Sequence, residues 1–433
     1  MTSQQPQAEW HRLHPLSPLV QAGRLVAGLL SIFAVTIAQN PHGGNRARLP
    51  ELIVAAVLAV AGVIKWLVTR WRLDGTTLRI ETGLLRRDSK QLPVTRIQAV
   101  DVVRPFLARM LGLAELRIRL ASSSDRADGR LAYLTEQQAA TVRAMLLAAH
   151  HGLDPATPEP GERPVSRLPT GRLVAASLLW GGSGLLALGA AVAVADSQAP
   201  HLVLGLVGTL GVYAFGLAGA TWRRISSAFG FTVAVSPDGI RIRRGLLGTV
   251  AETVPVRRIQ AVSMSQPLLW RPFGWCRLQV DVAGHAGHEE GGHSLKKDLL
   301  PVGSRAEAVY LAQLALGHQA PATTRPPPRA RIKAPLSYHF LAAGHDDQMA
   351  VAVTGRLTKT TVWIRLEKLQ SVRYVQGPVQ RRLGLASVHG DAAGRHTHVV
   401  FRDRDAAEAA DLLGRLPSLS REARTDRDAT FPP

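Results

Sequence analysis

The sequence predicts an α+β membrane protein with two transmembrane helical hairpins and three copies of a β-rich domain, each capped by a C-terminal helix. Two observations lead to this fold class. Four apolar segments, at 19–38, 49–69, 172–195 and 201–222, each have about the 20 residues that cross the hydrocarbon of a bilayer. A pattern anchored on a glycine also occurs three times in the 433-residue chain, and internal repetition decides the architecture.

The four apolar segments pair into two hairpins, because only a short connection separates the members of each pair. Their charges lie near their ends rather than along a polar stripe, which favours membrane spans over buried core helices. Basic residues such as Arg72, Arg167 and Arg223 flank the spans on one side. Because flanking basic residues mark the cytoplasmic side, we expect both termini and the large segments in the cytoplasm. Arg46 and Arg48 lie in the first turn, on the predicted outer side, and so favour the opposite orientation for the first hairpin.

The formal net charge of the chain is +20. A basic soluble protein would suggest nucleic acid, but the sequence has no zinc-finger, RRM-like or helix-turn-helix signature. Domains held against an anionic membrane surface explain the charge better, since each nearby Lys or Arg contributes about 1 kcal/mol there. The single cysteine, Cys276, excludes an intramolecular disulfide and fits a reducing compartment.

The three copies align without gaps on the reference glycines Gly83, Gly245 and Gly355. Five further positions carry the same residue in every copy, 2, 15, 17, 26 and 29 residues later. They are Leu85, Leu247 and Leu357; Gln98, Gln260 and Gln370; Val100, Val262 and Val372; Arg109, Arg271 and Arg381; and Gly112, Gly274 and Gly384. The chain therefore contains three copies of one domain.

Each copy reads as short antiparallel strands followed by one helix. Alternating runs on both sides of the reference glycine predict a hairpin, and further strands follow. The final helices begin after Thr135, Ser304 and Asp405, each with Gln or Glu three residues later, as in a capping box. This order suits a small barrel or bent sheet with the helix over one open end.

The residues Gly-Leu-Leu, Pro-x-x-Arg-Ile-Gln-x-Val and Arg-x-x-Gly, at the spacings of copies 1 and 2, resemble the bacterial pleckstrin-homology-like (bPH2) multi-pass membrane proteins of the YdbT type. The resemblance implies a pleckstrin-homology (PH) barrel, no established enzymatic activity, and a shorter single-domain membrane protein as a partner. Copy 3 departs from the pattern, since LEKLQSV replaces RIQAV and Arg365 stands where Pro93 and Pro255 stand. The barrels implied are 71–149, 229–317 and 336–416.

The apolar segments, the repeats and two Pro-rich stretches together predict the domain boundaries. The predicted order is a cytoplasmic N-terminus (1–18), transmembrane hairpin 1 (19–70), PH-like domain 1 (71–150), a Pro-rich linker (151–171), transmembrane hairpin 2 (172–222), PH-like domain 2 (223–317), a second Pro-rich linker (318–335), a divergent PH-like domain 3 (336–416) and a disordered tail (417–433).

Most shared residues are expected to serve the fold. The glycines, Gly83, Gly245, Gly355, Gly112, Gly274 and Gly384, allow positive φ in turns. The glutamines, Gln98, Gln260 and Gln370, lie in an apolar alternation, which favours an amide bonded to the backbone over a ligand contact. The arginines, Arg109, Arg271 and Arg381, are either exposed structural residues or contacts to membrane phosphate beside bulky apolar neighbours such as Phe106 and Phe273.

Two further clusters are candidate sites. Arg86, Arg87 and Lys90 in the first hairpin could meet a lipid headgroup, but copy 2 has GTVAE at this place, and a solvated charge run is the favoured interpretation. The histidines and glutamates of 284–293 have loop-like, glycine-rich spacing, which argues against a metal site. We therefore predict no metal and no cofactor.

The favoured function is a non-enzymatic bacterial scaffold in the plasma membrane. Its PH-like domains would face the cytoplasm and bind lipid headgroups, peptides or a partner membrane protein, with the shorter relative or self-association as protein partners and no nucleic acid. The alternative is a component of a transport or export system, against which no ionisable residue lies in mid-span. The sequence shows no paired carboxylates, Ser/His/Asp set, phosphate loop or metal signature, so we predict that the protein is not an enzyme.

Overall fold

The structure is a computed structural model that divides into two compact units. The first unit comprises Met1–Gly161 and Leu247–Thr253, and the second comprises Glu162–Leu246 and Val254–Pro433. The residues described are 10–18, 20, 57, 60, 63–64, 66–74, 77–83, 88–120, 129–150, 161–180, 184, 189, 203–282, 296–392 and 398–430.

Each copy of the repeat forms six strands and a C-terminal helix, and we call the copies modules 1, 2 and 3. Module 1 and the strand before it comprise β1 (His11–Arg12), β2 (Arg70–Asp74), β3 (Thr77–Thr82), β4 (Asp88–Pro93), β5 (Ile97–Arg104), α1 (Phe106–Met110), β6 (Leu113–Leu120), β7 (Gly129–Thr135) and α2 (Glu136–His150).

Module 2 follows a strand and a long helix. The elements are β8 (Arg163–Arg167), α3 (Val203–Ala228), β9 (Thr232–Ser236), β10 (Gly239–Arg244), β11 (Thr249–Val254), β12 (Ile259–Pro267), β13 (Trp275–Val282), β14 (Lys296–Ser304) and α4 (Arg305–Leu316). Module 3 and its leading turn comprise α5 (Ala330–Lys333), β15 (Ala342–His345), β16 (Met349–Thr354), β17 (Thr358–Arg365), β18 (Leu369–Val375), α6 (Pro378–Arg382), β19 (Leu385–Ala392), β20 (His398–Asp405) and α7 (Ala406–Thr430).

In modules 1 and 3, the six strands form two antiparallel sets of three rather than a closed ring. The sets are β2-β3-β4 and β5-β6-β7 in module 1, and β15-β16-β17 and β18-β19-β20 in module 3. A 3-10 turn, Val94–Arg96 or Leu366–Lys368, separates the third strand from the fourth. Among the described residues, these two strands do not pair with each other. The third and fourth strands of a module are therefore available for other partners.

Strands of successive modules occupy these available edges. In the first unit, β11 of module 2 pairs with β5 of module 1, with Ala251 opposite Val102. In the second unit, β17 of module 3 pairs with β12 of module 2, with Thr361 opposite Met264. Val102 and Met264 each lie 19 residues after their reference glycines (102 − 83; 264 − 245), and Ala251 and Thr361 each lie 6 residues after theirs (251 − 245; 361 − 355). The two joints therefore have the same register.

A buried ion network reinforces the first joint. Arg119 Nη2 lies 2.7 Å from Asp101 Oδ2 and 3.3 Å from Glu252 Oε1, so that one guanidinium bridges two carboxylates. The side chains of Asp101 and Glu252 are only 2% and 8% exposed, and Thr253 N donates to Asp101 Oδ1 at 3.3 Å. Removal of one partner from a buried ion pair leaves a charge without compensation. The loss of one of these side chains would therefore lower the free energy of unfolding by about 3–5 kcal/mol.

Each module has apolar contacts within its own sheets and under its helix. Module 1 buries Leu116, Ile118 and Leu146 of α2 in one cluster. Module 2 buries Trp270 together with helix α4, and module 3 buries Phe401 with helix α7. A fully buried Leu, Ile or Phe side chain contributes about 1.5–3 kcal/mol, so these clusters stabilise each module's pair of sheets.

The predicted helix starts are confirmed in all three modules, and the predicted reciprocal capping pair is confirmed in two of them. Thr135 Oγ1 accepts from Gln138 N, and Thr135 N donates to the Gln138 side chain, both at 3.2 Å. Ser304 and Glu307 make the same reciprocal pair before α4. Before α7, Asp405 Oδ1 accepts from Ala407 N at 3.0 Å. In this module Glu408 binds Arg404 instead of returning to the cap, so its helix start has a single side-chain cap.

The shared glycines have positive φ in all three modules. The reference glycines Gly83, Gly245 and Gly355 have φ of 106°, 118° and 94°, and the later glycines Gly112, Gly274 and Gly384 have φ of 65°, 63° and 61°. At Gly355 a Cβ would lie 1.9 Å from the carbonyl oxygen of Thr358, so the hairpin has no room for a side chain. Backbone conformation therefore explains why these positions repeat.

The prediction of two transmembrane hairpins is wrong for the part of the chain that the structure describes. No helix among the described residues combines the length and apolarity needed to cross a bilayer, and the described modules consist mainly of antiparallel sheet. Segment 19–38 apart from residue 20, most of 49–69 and most of 181–195 lie outside the described residues.

One of the apolar segments that are partly described packs against protein at its start. Residues 170–180 are helical, and Leu173 and Ala176 are buried in the core of module 2, so this apolar face packs against protein. Residues 203–222 belong to α3, which continues through Arg223 and Arg224 to Ala228. Apolar composition alone did not show that the helix at 170–180 is buried against module 2.

The segments assigned to linkers and the tail contain regular structure. Strand β8 lies within 151–171 and pairs with β9. Within 318–335, Thr324 forms an antiparallel bridge with Ala343, and α5 follows. Helix α7 continues through Pro417 to Thr430. The first strand of each module thus receives an additional pairing from the chain that precedes it, as β1 pairs with β2.

We predict opposite effects on stability for two glycine-to-alanine substitutions in module 3. Gly384→Ala should lower the free energy of unfolding by about 1–2 kcal/mol, because φ of 61° is unfavourable for an L side chain. Gly414→Ala, at an exposed position within α7 where a Cβ meets nothing within 4 Å, should raise it by about 0.5–1 kcal/mol. Urea unfolding of the full chain measures both. Equal effects of the two changes would contradict the role assigned to Gly384.

Candidate functional site

Each module carries a short helical turn between its fourth and fifth strands, and we call it the apolar turn. It comprises residues 106–111 in module 1, 268–273 in module 2 and 378–383 in module 3. A proline precedes or begins each turn: Pro105 and Pro267 lie directly before the first helical residue. Pro378 lies at the first helical position, where its fixed φ is suitable and its missing N–H is not needed. The positive-φ glycines described above end each turn.

Bulky apolar side chains of these turns face solvent. Met110 is 72% exposed. The exposed apolar residues are Phe106, Leu107, Met110 and Leu111 in module 1, Leu268, Leu269 and Phe273 in module 2, and Val379 in module 3. Contiguous exposed apolar residues rimmed by polar ones mark contact surfaces for membranes or proteins. Their recurrence at one place in three modules favours a function for this surface.

The leucine two residues after the reference glycine extends this surface at each joint. Leu247 and Leu357 are both exposed. The backbone N–H of Leu268 donates to the carbonyl of Leu357 at 2.7 Å. In the first unit, a Cβ at Gly248 would lie 3.6 Å from the backbone nitrogen of Phe106. In each unit, therefore, the apolar turn of one module adjoins the leucine of the module that follows it in sequence.

The three shared arginines do not have the same surroundings. Arg271 donates through Nη2 to the carbonyl oxygen of Arg356, and its guanidinium lies 5.1 Å from the ring centroid of Phe340. Arg109 lies in α1 at an exposed position, and Arg381 lies exposed in α6. Arg271 thus fastens module 2 to module 3, a role that single-sequence reasoning missed because Arg356 and Phe340 lie far from it in sequence.

The basic cluster of the first hairpin is only partly described. Arg86 and Arg87 lie outside the described residues, while Lys90 is exposed on β4 beside Asp88, Ser89 and Gln91. The headgroup site of these three residues therefore stays a prediction, because two of them lie outside the described residues.

The shared glutamines occupy a β-bulge. Register shifts fall between Ile97 and Ala99, between Ile259 and Ala261, and between Leu369 and Ser371, so the glutamine in the middle is the extra residue each time. The buried Gln260 donates its side-chain amide to the carbonyl of Arg258 at 3.2 Å. Gln370 is exposed on β18, and the side chain of Gln98 lies outside the described residues.

Other chemically interesting groups lie apart from the apolar turns. An apolar cavity of about 230 Å³ in the first unit is lined by Trp71, Leu78 and Leu146. Burial raises the pKa of the Cys276 thiol to about 11, with opposing charge effects from Arg305 and Glu307. Within the described residues no group of three His, Cys, Asp or Glu side chains could hold a metal ion, and 284–293 lies outside them. The apolar turns are therefore the best candidate site.

A family comparison identifies the three modules. The family model described as the bacterial PH domain matches residues 24–150, 183–315 and 298–418. The chain belongs to the bacterial PH domain family. The resemblance inferred from the repeat is therefore confirmed, and each PH module contributes a strand set, an apolar turn and a C-terminal helix.

A curated relative supports the same assignment at low identity. The chain is 22% identical over 328 residues to the UPF0699 transmembrane protein YdbT of Bacillus subtilis (strain 168), which covers 65% of this chain and 64% of the relative. The chain thus spans somewhat less than two thirds of that relative's length. No solved structure matches the chain.

We predict that Arg271→Lys destabilises the joint between modules 2 and 3. A lysine keeps the charge but cannot both reach the carbonyl of Arg356 and stack its planar group on Phe340. The free energy of unfolding should fall by about 1–3 kcal/mol. Arg382→Lys, at an exposed position of α6, is the control and should change it by less than about 0.5 kcal/mol. A neutral effect of Arg271→Lys in thermal or urea unfolding would contradict the assigned role.

Proposed function

We propose that this bacterial PH domain protein is a non-enzymatic scaffold at the plasma membrane, with its modules facing the cytoplasm. In this proposal the apolar turns enter the boundary between headgroups and acyl chains, and neighbouring arginines bind lipid phosphates. The single observation that carries the proposal is the exposure of large apolar side chains at the same turn of all three modules.

The composition of the turns supports a lipid surface as the ligand. Interfacial segments combine aromatic or aliphatic side chains with basic residues, and their binding grows with buried apolar area and with attraction to anionic lipid. Phe106 and Met110 lie next to Arg109, and Val379 lies next to Arg381 and Arg382. Transfer of a large apolar side chain from water contributes about 1.5–3 kcal/mol when complete. Several such turns together would hold the modules at a membrane.

The electrostatics favour an anionic leaflet. The net charge of +20 attracts the protein to anionic lipid, at about 1 kcal/mol for each basic residue near the surface. The relative is named a transmembrane protein, which also supports a membrane location for this chain. PH modules generally bind rather than catalyse, which supports a scaffold role for the family member described here.

A probe placed on the apolar turn of module 2 tests the proposal in the full chain. Phe273 and Tyr310 lie in the same module and are 56% and 54% exposed, so they form a matched pair. We expect an environment-sensitive fluorophore on Phe273→Cys to shift to the blue with vesicles of phosphatidylcholine and phosphatidylglycerol. The same fluorophore on Tyr310→Cys should shift little, because α4 lies outside the apolar turn. The buried Cys276, whose pKa burial raises to about 11, should remain unlabelled.

The comparison of lipid compositions separates the two contributions. The shift should be larger with phosphatidylglycerol than with phosphatidylcholine alone, and it should decrease at high salt because surface charges are screened. Equal shifts at both positions, or no shift at Phe273→Cys with anionic vesicles, would overturn the proposed contact.

A further inference from the structure

Among the described residues, β4 of module 1 and β18 of module 3 each have one open edge, whereas the equivalent strands at the two joints pair with a neighbouring module. The fourth strands β5 and β12 are covered by β11 and β17, and β12 is largely buried. The equivalent strand of module 3, β18, is exposed at four of its seven residues, including Val375. The third strand of module 1, β4, is exposed at four of six residues. In the described part of the chain, β18 pairs only with β19, and β4 pairs only with β3.

The register of the existing joints specifies how these open edges would fit. At the first joint, Val103, which lies 20 residues after Gly83, faces Val250, which lies 5 residues after Gly245. The same two positions are Val375 in module 3 (375 − 355) and Asp88 in module 1 (88 − 83). The shared register therefore places Val375 opposite Asp88, and the positions before it place Arg373 opposite Lys90.

Charges at the open edges mirror the buried network of the first joint with all signs reversed. In that network Arg119 pairs with Asp101 and with Glu252. Asp101 and Arg119 lie 18 and 36 residues after Gly83, and Glu252 lies 7 residues after Gly245. In module 3 the positions at 18 and 36 are Arg373 and Asp391, which are paired at 2.9 Å. In module 1 the position at 7 is Lys90. Where Arg119 bridges two carboxylates, Asp391 would bridge two cations.

The pair in module 3 is placed to accept this third charge. Burial raises the pKa of Asp391, but hydrogen bonds from Arg373 and Ser371 outweigh it and hold this pKa below its usual value, so the carboxylate stays ionised. The side chain of Arg373 is 60% exposed, against 2% for the equivalent Asp101 in the covered joint. A lysine on an edge strand usually discourages indiscriminate pairing, and Asp391 supplies the specific partner that removes this penalty.

We propose that β18 of one chain docks on β4 of a second copy of the chain, antiparallel and in the register of the internal joints. Edge strands recruit partners by extending the sheet, with backbone hydrogen bonds supplying affinity and side chains supplying specificity. Each chain offers both edges, so the contact is head to tail and builds a ring where the rotation closes and a filament where it does not. The exposed Arg381, equivalent to Arg271 at the internal joint, would fasten this contact in the same way.

Disulfide trapping between two singly substituted full-length chains tests the register. One chain carries Asp88→Cys and the other Val375→Cys, both at exposed positions. Residues directly opposite each other in antiparallel strands have the Cβ separation that a disulfide needs. We expect a covalent dimer on mild oxidation, at least about tenfold faster than for Ser89→Cys mixed with Val375→Cys, because Ser89 points to the other face of the strand. The buried Cys276 provides no competing thiol.

The outcomes distinguish the occupants of the open edge. A covalent dimer only in the Asp88→Cys and Val375→Cys mixture supports the proposal. Equal rates for both mixtures overturn the register, and no dimer overturns docking between copies. A chain carrying both substitutions that closes on itself and stays monomeric shows that the two edges meet within one chain, and this also overturns the proposal. Unchanged thermal unfolding of the variants before oxidation confirms that they fold.

A charge test examines the inverted network separately. Asp391→Asn should slow dimer trapping about fivefold, because it leaves Arg373 and Lys90 facing each other without the carboxylate. Adding Lys90→Gln to the chain that supplies β4 should recover most of this loss, since it removes one of the two like charges. If Asp391 only stabilises its own module, Lys90→Gln on the other chain should not restore the trapping rate. Absence of this restoration would therefore contradict the inverted network.

Discussion

The structure depends on one constraint, namely that the backbone donors and acceptors along a strand edge must be satisfied. Within modules 1 and 3, a 3-10 turn separates the third and fourth strands, so the module does not close its own sheet. Adjacent modules satisfy the edges at the two joints, β11 on β5 and β17 on β12, in one shared register, whereas β4 and β18 each have one open edge among the described residues. Unpaired buried backbone groups cost free energy comparable to a lost hydrogen bond. Each internal PH module therefore needs its neighbour.

This constraint also explains features that look local in the sequence. The bulge at the shared glutamine bends the fourth strand beside each joint, and Gln260 satisfies part of the irregular backbone with its own amide. Arg271 reaches a carbonyl of the following module, and the recurrent leucine adjoins the apolar turn of the preceding one. Residues that recur in all copies are thus divided between folding of the module, fastening of the joint and exposure of an apolar surface. The last group carries the proposed membrane contact.

Sequence reasoning was most successful where the physics is local. The positive φ of Gly83 and Gly112 follows from turn chemistry, and the capping pairs at Thr135 and Ser304 follow from orphan N–H groups at helix starts. It failed for apolar segments, because the same composition fits a membrane span and a helix buried against protein. Leu173 and Ala176 lie in an apolar run that read as a membrane span, yet they are buried against module 2. A hydrophobic segment specifies that it leaves water but does not specify whether protein or lipid receives it.

The sequence by itself determined that one β-rich unit is repeated three times, where its turns lie, and that the chain is strongly basic, because each of these rests on residue identity at fixed spacing. Only the tertiary structure decided which strand edges are joined. Asp101 and Glu252 are 151 residues apart (252 − 101), and nothing local shows that one guanidinium bridges them. Pairing between modules is a long-range choice among several chemically similar edges. It is settled by register, burial and charge that exist only once the modules have folded.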